Sequence, residues 1–523
     1  MHPETTLLAL FAIAAAVAIL SHRLRVPYTI ALVVAGLALG FFEVLEAPHL
    51  TKELLFLIVL PGLLFEAAFH MSFKEFWKAK VSIFSLAVPG LMAAIGLTGL
   101  LVFVAVDGLG LGEVTLLEAM VFGTLIGATD PISVLAIFKA LGVDRRLYTL
   151  VEGESLFNDG TAVVIFTILL GVVLGGEASL GSATFEFVKV VGMALLIGGA
   201  MGWLGSMLTK TLEEPVIEIT LTALVAYGSF IIAEHFHFSG VIACVVAGMI
   251  SGSWGARIGM SASTRLAVVS FWDYAAFVLN SLVFLLVGFE VKIGSLVSHA
   301  GAIVLAWLAV LLSRAIVVFG KGLILRAMKK EAPPWSWSVV LTWGGLRGGL
   351  SMVLALALPR EFEHRELILH LTFGVVLISL LLQGLTMKPL LSLLGLSGKE
   401  DDRQDYEERT ARLKAARAAL RELEALRAEH TIPSVIHDQL HGELEQELAE
   451  LQKAIDDLTE KRVDILDAEV LALRRHLLQV RKEAVHETHR QGTIGEPVML
   501  ALQHEIDDRL LDLAAAEHEG GEH

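Results

Sequence analysis

Residues 151–161 read V-E-G-E-S-L-F-N-D-G-T and interrupt a run that is otherwise apolar. They place Glu152, Glu154 and Asp159 in a stretch long enough to cross a bilayer, where a charged carboxylate is costly and usually marks an ion or proton pathway. A second acid in an apolar run stands in Thr-Asp-Pro at 129–131, beside a helix breaker. These two acidic, interrupted segments predict a cation pathway inside a membrane.

The composition predicts an all-α, polytopic membrane protein. The chain has 523 residues, of which 55% are hydrophobic, and a mean hydropathy of +0.68. Apolar stretches of about 20 residues recur, which is the length that spans a bilayer as a helix. The single cysteine, Cys244, excludes an intramolecular disulfide framework and a cysteine-rich zinc site.

Hydropathy predicts about thirteen membrane helices. Basic residues such as Arg145 and Arg146 gather in alternate short connections, which predicts an external N-terminus and a cytoplasmic C-terminus. The predicted spans are residues 5–21, 27–43, 53–70, 81–106, 115–139, 150–175, 184–209, 215–235, 238–252, 264–290, 297–326, 335–359 and 366–396.

Thirteen spans fit two six-helix halves around a linker helix, which pairs the fifth span with the twelfth. The fifth contains Asp130-Pro131, and the twelfth contains W-G-G-L-R-G-G at 343–349. Helices interrupted by Pro or Gly at matching positions of two halves point to a transporter's substrate site. We therefore expect two inverted repeats in which two unwound helices cross.

The C-terminal region differs in composition. Residues 400–523 hold 16 Lys and Arg against 30 Asp and Glu, a net −14 of the chain's −16. A weak repeat at a spacing of 62 aligns Leu440 and Leu444 with Leu502 and Ile506, which suggests two related helical hairpins. We expect a membrane domain at 1–399 and a helical cytoplasmic tail at 400–523. The tail is either a solubilising segment or a domain that is regulatory or dimer-stabilising.

Helical spacing arranges the charged residues into a candidate site. Ser155 and Asp159 are four residues apart and share one helix face. Together with the unwound Thr129-Asp130 segment they offer only oxygen ligands, which suit a hard cation. Glu154 lies on another face, and pairing it with Arg347 would satisfy both buried charges.

Four motifs together resemble the monovalent cation/proton antiporters of the bacterial Na⁺/H⁺ exchanger type. They are G-A-T-D-P-I-S at 127–133, G-E-S-L-F-N-D-G-T-A at 153–162, F-x-L-N-S-L-x-F-x-L-x-G at 277–288 and W-G-G-L-R-G-G at 343–349. The resemblance covers residues 5–396. It implies an inverted-repeat fold, a homodimer in the bacterial inner membrane, and an elevator-like movement of an ion-carrying domain.

The resemblance also assigns roles to residues. Asp159 is implied as the carrier of cation and proton, and Thr129 and Ser155 as further Na⁺ ligands. Asn158 is implied to belong to the cation/proton-binding site, and it also marks the electroneutral branch. Three further residues have implied roles: Asp130 lines the site and neutralises half-helix ends, Glu66 borders the site, and Glu154 forms a structural ion pair with Arg347.

The leading hypothesis is thus electroneutral Na⁺/H⁺ antiport that serves sodium and pH homeostasis. Burial favours the protonated carboxylic acid of Asp159, so that protons compete with Na⁺ for one group. K⁺/H⁺ exchange is the close alternative, and a gated cation channel is the alternative from another class. We expect a transporter and not an enzyme, with lipid, monovalent cations and protons as partners, no cofactor, and no nucleic acid.

Overall fold

In the computed structural model, all regular secondary structure of the described residues is helical. The described residues are 3–24, 27–42, 55–176, 179–210, 214–256, 260, 262–291, 293–328, 333–396, 399–428, 433–461 and 463–519. The chain divides into two units, Met1–Ser397 and Gly398–His523.

The first unit is built of apolar helices. Among the described residues, seven helices are long and apolar enough to cross a membrane, and shorter apolar helices accompany them. Each of the thirteen predicted stretches contains helix. Residues 43, 53 and 54, at the ends of two of these stretches, lie outside the described residues. The number of crossings stays a prediction. The bounds are Pro3–Leu24, Tyr28–Phe41, Leu55–Val59 continued by Leu60–His70, residues 73–107, Leu116–Leu125, Ile132–Leu141, Arg145–Val173, Leu180–Thr209, Pro215–His235, Gly240–Gly255, Ala262–Glu290, Ile293–Ser298, Ala300–Ala327, Trp335–Trp343, Gly349–Leu356 and Arg365–Leu393.

The first broken helix consists of Leu116–Leu125 and Ile132–Leu141. It begins at a capping box, in which Thr115 and Glu118 satisfy each other's backbone N–H groups. It breaks before Pro131, which lacks an N–H and disfavours helix at the residue before it. It ends at Gly142, whose φ of 58° is left-handed.

The second broken helix consists of Trp335–Trp343 and Gly349–Leu356. Its break is the segment 344–348, where three of the five residues are glycine. Glycine is a poor helix former and allows another chain segment to approach closely.

The carboxylate helix, Arg145–Val173, holds the acidic motif. Its N-cap is Asp144, whose Oδ1 accepts the Arg146 N–H at 2.7 Å. Glu154, Ser155 and Asn158 are buried on this helix, and Asp159 is half-buried.

Helix Ala262–Glu290 lies directly against Tyr28–Phe41. A Cβ at Gly36 would overlap the Leu285 carbonyl oxygen, and one at Gly288 would overlap the Val33 carbonyl oxygen. This backbone-to-backbone approach fixes helix Ala262–Glu290, which brings Asp273 and Asn280 to the cavity described below.

The described residues of the second unit form four helices, Lys399–Ala428, Ser434–Lys461, Val463–Arg490 and Glu496–Glu519. The first contacts the second, and the third contacts the fourth. Leu413, Leu423 and Ile455 are buried in the first of these pairs. The two hairpins agree with the arrangement expected from the 62-residue repeat.

Candidate cation site

The two broken helices cross at their extended segments. The Asp130 N–H donates to the Leu346 carbonyl oxygen across the crossing, at an N–O distance of 2.8 Å. A Cβ at Gly348 would overlap the Asp130 side chain, so this approach requires glycine. The crossing expected from the Pro and Gly breakers is confirmed.

Three buried polar side chains join the first break to the carboxylate helix. The Ser155 hydroxyl donates to the Thr129 carbonyl in a very short contact, and the Thr129 hydroxyl lies 3.2 Å from Ser155 Oγ. Asn158 Nδ2 donates to the Gly127 carbonyl oxygen at 2.9 Å. These bonds satisfy backbone carbonyls that the break has released from helical pairing.

Asp159 lies next to this network, one helical turn beyond Ser155. Its Oδ1 atom is buried and has no hydrogen-bond partner among the described residues. Its side chain lines a cavity of about 400 Å³ together with Thr129, Asp130 and Ser155. The carboxylate and the two hydroxyls are thus gathered at one wall of a cavity, as the spacing predicted, and their binding of a cation stays a prediction.

Asp130 has a second contact that defines its surroundings. Its Oδ1 accepts the Ile132 N–H at 3.0 Å, at the start of the half-helix Ile132–Leu141. A negative charge is favourable at a helix N-terminus. This contact supports the role at the half-helix end, and the same side chain also faces the cavity.

Arg347 lies near the C-terminal end of the half-helix Leu116–Leu125, on the other side of the break from Ile132–Leu141. Its Nη1 donates to the carbonyl oxygens of Gly127 and Ala128 at 2.8 and 3.2 Å, respectively. These carbonyls follow Leu116–Leu125, where the helix dipole is negative and a cation is favourable. The Arg347 guanidinium therefore binds the carbonyl oxygens that the break of the first broken helix exposes.

Glu154 pairs with Arg314, and this corrects the expected Glu154–Arg347 pair. Arg314 Nη1 and Nη2 lie 2.9 and 3.1 Å from the two Glu154 carboxylate oxygens. Arg314 Nε also donates to the Leu341 carbonyl at 2.7 Å, near the end of Trp335–Trp343. The reason for the different partner is geometric. The Arg347 guanidinium is bound to the carbonyl oxygens of the first break. Arg314, on helix Ala300–Ala327, places its planar guanidinium against both Glu154 oxygens.

Arg314 was not selected as a site residue from the sequence. It lies in the middle of the apolar helix Ala300–Ala327, whose other two basic residues, Lys321 and Arg326, lie nearer its C-terminal end. The argument used for Arg347, that an arginine within a span needs a buried partner, applies equally to Arg314 and could have found it.

Glu66 lies on the other side of the cavity. It is on the helix Leu60–His70 and lines the cavity together with His70 and Asp273. His70 lies within 3.3 Å of both carboxylates. Glu66 thus faces the cavity that contains Asp159, while its direct role in ion binding stays a prediction.

A family model described as sodium/hydrogen exchanger, transmembrane, matches residues 7–393. The chain belongs to this family. Two curated relatives of the same family are Na⁺/H⁺ antiporters. The chain is 37% identical over 514 residues to NhaG of Bacillus atrophaeus, covering 96% of both chains. It is 40% identical over 408 residues to ApNhaP of Aphanothece halophytica, covering 77% of this chain and 76% of that protein.

The fold also resembles a solved exchanger structure. The sodium proton antiporter MjNhaP1 from Methanocaldococcus jannaschii at pH 8 superposes with a TM-score of 0.63 at 18% identity, covering 76% of this chain and 99% of that chain. At this identity the likeness concerns the fold alone. The chain is therefore a multi-pass membrane protein of the exchanger family, which is a family of transporters.

Proposed function

We propose that this chain is a Na⁺/H⁺ antiporter in which Asp159 alternately holds a cation and a proton. The observation that carries the proposal is the position of this carboxylate. It lies beside the crossing of two broken helices, at the wall of a cavity, and its Oδ1 has no hydrogen-bond partner in the part of the chain that the structure describes. Thr129 and Ser155 complete the cation's oxygen ligands from the first break and the carboxylate helix. The antiporter activity of the two relatives supports the same conclusion.

Coupling follows from the use of one carboxylate for two ions. An empty Asp159 would carry a bare negative charge through an apolar barrier, which is costly. A carboxylate that holds Na⁺ or a proton is neutral, so only loaded carriers cross between the two sides. Each inward movement of one ion is then matched by outward movement of the other.

Alternating access requires two groups of helices that move against each other. Glu66, Asp273 and Asn280 line the cavity from helices Leu60–His70 and Ala262–Glu290, while Ser155 and Asp159 line it from the carboxylate helix. An elevator-type displacement of the second group would carry Asp159 past the first. Helices of the first group would then form the fixed part of a homodimer.

We further propose that the cavity opens to the cytoplasm of a bacterial inner membrane. Lys139 lines it, and Arg145 and Arg146 follow at the start of the carboxylate helix. The concentration of basic residues on this side indicates the cytoplasmic face. Na⁺ and pH homeostasis of the cell would be the physiological role.

The test is Na⁺-driven proton flux in liposomes that contain the purified protein. Asp159→Asn should abolish the flux, because an amide neither titrates nor balances a cation charge. Asp144→Asn is the matched control, since it replaces an exposed acid on the same helix with another good N-cap residue. It should keep both flux and stability.

Several outcomes would contradict the proposal. Substantial flux in a stable Asp159→Asn protein would remove Asp159 as the carrier. Flux driven by K⁺ and not by Na⁺ would favour K⁺/H⁺ exchange. Single-channel currents without obligatory proton counterflow would indicate a channel.

Exchange should also be electroneutral. Asn158, the neighbour of Asp159, is an amide that donates to the Gly127 carbonyl, and Glu154 is neutralised by Arg314. One titratable carrier that exchanges one Na⁺ for one proton moves no net charge. Initial Na⁺-driven rates should therefore be unchanged when a K⁺ ionophore clamps the liposome potential, and a strong voltage dependence would mean that a second charge moves.

A further inference from the structure

The entrance cluster, defined as Glu66, His70 and Asp273, lies in the cavity apart from Asp159. Glu66 and His70 are four residues apart and share one helix face, and Asp273 reaches them from helix Ala262–Glu290. The candidate ligand atoms of the three residues all lie within 4.8 Å of one another. The side chains of Glu66, His70 and Asp273 are 23%, 30% and 59% exposed, respectively, so the cluster is open to ions in the cavity.

We propose that the entrance cluster binds a divalent transition-metal cation of the Zn²⁺ class, and that the bound metal blocks exchange. The metal-binding part stands on the geometry of the cluster alone. The block rests on the function proposed above.

The hydrogen bonds of His70 fix which ring nitrogen is free to bind a metal. Nδ1 lies 2.9 Å from the Glu66 backbone carbonyl oxygen and 3.3 Å from Glu66 Oε1. Since the carbonyl only accepts, Nδ1 carries the proton of the neutral ring. Nε2 then has a lone pair. A ring N–H bonded to a backbone carbonyl is the usual second contact of a histidine that ligates a metal through its other nitrogen.

The Nε2 lone pair faces another acceptor. It lies 3.2 Å from Asp273 Oδ1, and an ionised carboxylate has no proton to donate. Two acceptors at this distance are stabilised by a cation between them, either a proton on His70 or a metal ion. Ligands about 2.0–2.2 Å from a tetrahedral Zn²⁺ lie roughly 3.3–3.6 Å apart, so a small outward movement from the observed 3.2 Å would accommodate a shared metal.

The charge and chemistry of the cluster select the class of metal. One neutral imidazole and two carboxylates carry two negative charges, which balance a divalent cation. A nitrogen and carboxylate oxygens are common Zn²⁺ ligands, and imidazole also suits Ni²⁺ and Cu²⁺. Na⁺ and Mg²⁺ favour sites of oxygen ligands only, so the imidazole distinguishes this cluster from the site at Asp159.

A metal held here would act on transport through two effects. It would occupy Glu66, and it would place a divalent positive charge in the cavity that leads to Asp159. Repulsion from this charge would lower the local concentration of Na⁺. We therefore expect Zn²⁺ to inhibit exchange from the side to which the cavity opens.

The first experiment measures Zn²⁺ binding to the purified full-length protein without an affinity tag, by titration calorimetry and by the visible spectrum of bound Co²⁺. His70→Gln and Asp273→Asn should each lose one bound metal per chain or bind it at least tenfold more weakly. His235→Gln, which changes an exposed histidine outside the cavity, is the matched control and should bind as the unchanged protein does. This control matters because the chain has 18 histidines.

Equal stoichiometry and affinity in the unchanged protein and in both variants would overturn the metal site. If His70→Gln does not fold, Asp273→Asn decides, since Asp273 is the most exposed of the three ligands. This binding measurement requires no transport activity. Its result therefore stands even if the protein proves to exchange no Na⁺ for protons.

The second experiment measures inhibition in liposomes. Zn²⁺ should inhibit Na⁺-driven proton flux of the unchanged protein. His70→Gln and Asp273→Asn should need at least tenfold more Zn²⁺ for the same fractional inhibition, each measured relative to its own metal-free rate. Binding without inhibition would overturn the proposed block and leave the metal site in place. Absence of any flux in the unchanged protein would instead contradict the proposed function.

Discussion

Glu154, Arg314 and Arg347 illustrate how the membrane unit holds charge in an apolar surrounding. Each guanidinium bonds to groups that carry negative charge: Arg314 to the Glu154 carboxylate, and Arg347 to carbonyl oxygens at a helix break. The paired geometry of Arg314 and Glu154 is of the strong kind, in which two parallel N–H groups meet two carboxylate oxygens. Removing one partner therefore harms the fold more than replacing both.

Arg314→Ala should destabilise the protein by about 3–5 kcal/mol, because it strands the buried Glu154 carboxylate. Adding Glu154→Gln should recover part of this loss. Thermal unfolding in detergent of the single and double variants provides the measurement.

Arg347→Ala is the matched comparison. It leaves two backbone carbonyl oxygens without their Arg347 donor and keeps the Glu154–Arg314 pair intact. Adding Glu154→Gln should therefore recover none of its lost stability. Rescue of Arg347→Ala together with no rescue of Arg314→Ala would show that the carboxylate depends on Arg347 instead.

The residue-scale predictions from sequence succeed where spacing alone decides. Ser155 and Asp159 face one cavity because they are four residues apart on a helix, and Thr129 joins Ser155 because a proline breaks the chain beside it. The partner of Glu154 depends on how helix Ala300–Ala327 packs, which no local pattern encodes. The hydrogen bond between Asn158 and Gly127 likewise depends on packing.

At the scale of elements, the crossing of the two broken helices is the feature that creates the site. One break exposes the carbonyls that Arg347 and Asn158 bind, and the half-helix that follows exposes the N–H that Asp130 accepts. The helix ends thus supply partial charges without any further ionisable groups. The separation of the crossing segments determines whether these contacts form.

Gly348→Ala should push the crossing segments apart, because the added Cβ would overlap the Asp130 side chain. The backbone at Gly348 has a φ of −130°, which alanine adopts freely, so the effect would be steric only. We expect at least a tenfold loss of Na⁺-driven flux and a lower unfolding temperature.

Gly320→Ala is the control, since its added Cβ meets nothing within 4 Å. This variant should keep its flux and gain slightly in helix stability, because alanine is the better helix former. Normal flux in Gly348→Ala would mean that the close crossing is dispensable.

The breaks themselves were predictable, since Pro131 and the glycines of 344–349 have local effects on the backbone. The short π-helical turns, such as Leu86–Gly90 within residues 73–107, were not. Pro89 in that turn is a visible signal of a kink. The sequence does not show how the lost hydrogen bond is redistributed, because this depends on the neighbouring helices.

At the scale of the whole molecule, the chain combines a nearly charge-balanced membrane unit with an acidic helical one. The acidic unit buries its own apolar residues, among them Leu413, Leu423 and Ile455. Its first hairpin also holds a polar group in which Arg427 Nη1 lies 2.8 Å from His437 Nδ1 and 3.2 Å from Asp438 Oδ1. These contacts are internal to the unit and involve none of the proposed cation-binding residues.

Removing the chain after Lys399 should therefore leave exchange intact and shift its pH dependence. All four transport motifs lie before residue 350, and the truncation leaves only the first residue of helix Lys399–Ala428. A tail with a net charge of −14 that acts on the carrier or on dimer contacts would alter the pH at which exchange is half-maximal. The measurement compares truncated and full-length protein in liposomes across pH and Na⁺ concentration, with dimer formation checked in detergent. Complete inactivity of a folded, dimeric truncation would make the tail part of the transport machinery, because the membrane unit alone would then lack a group that exchange requires.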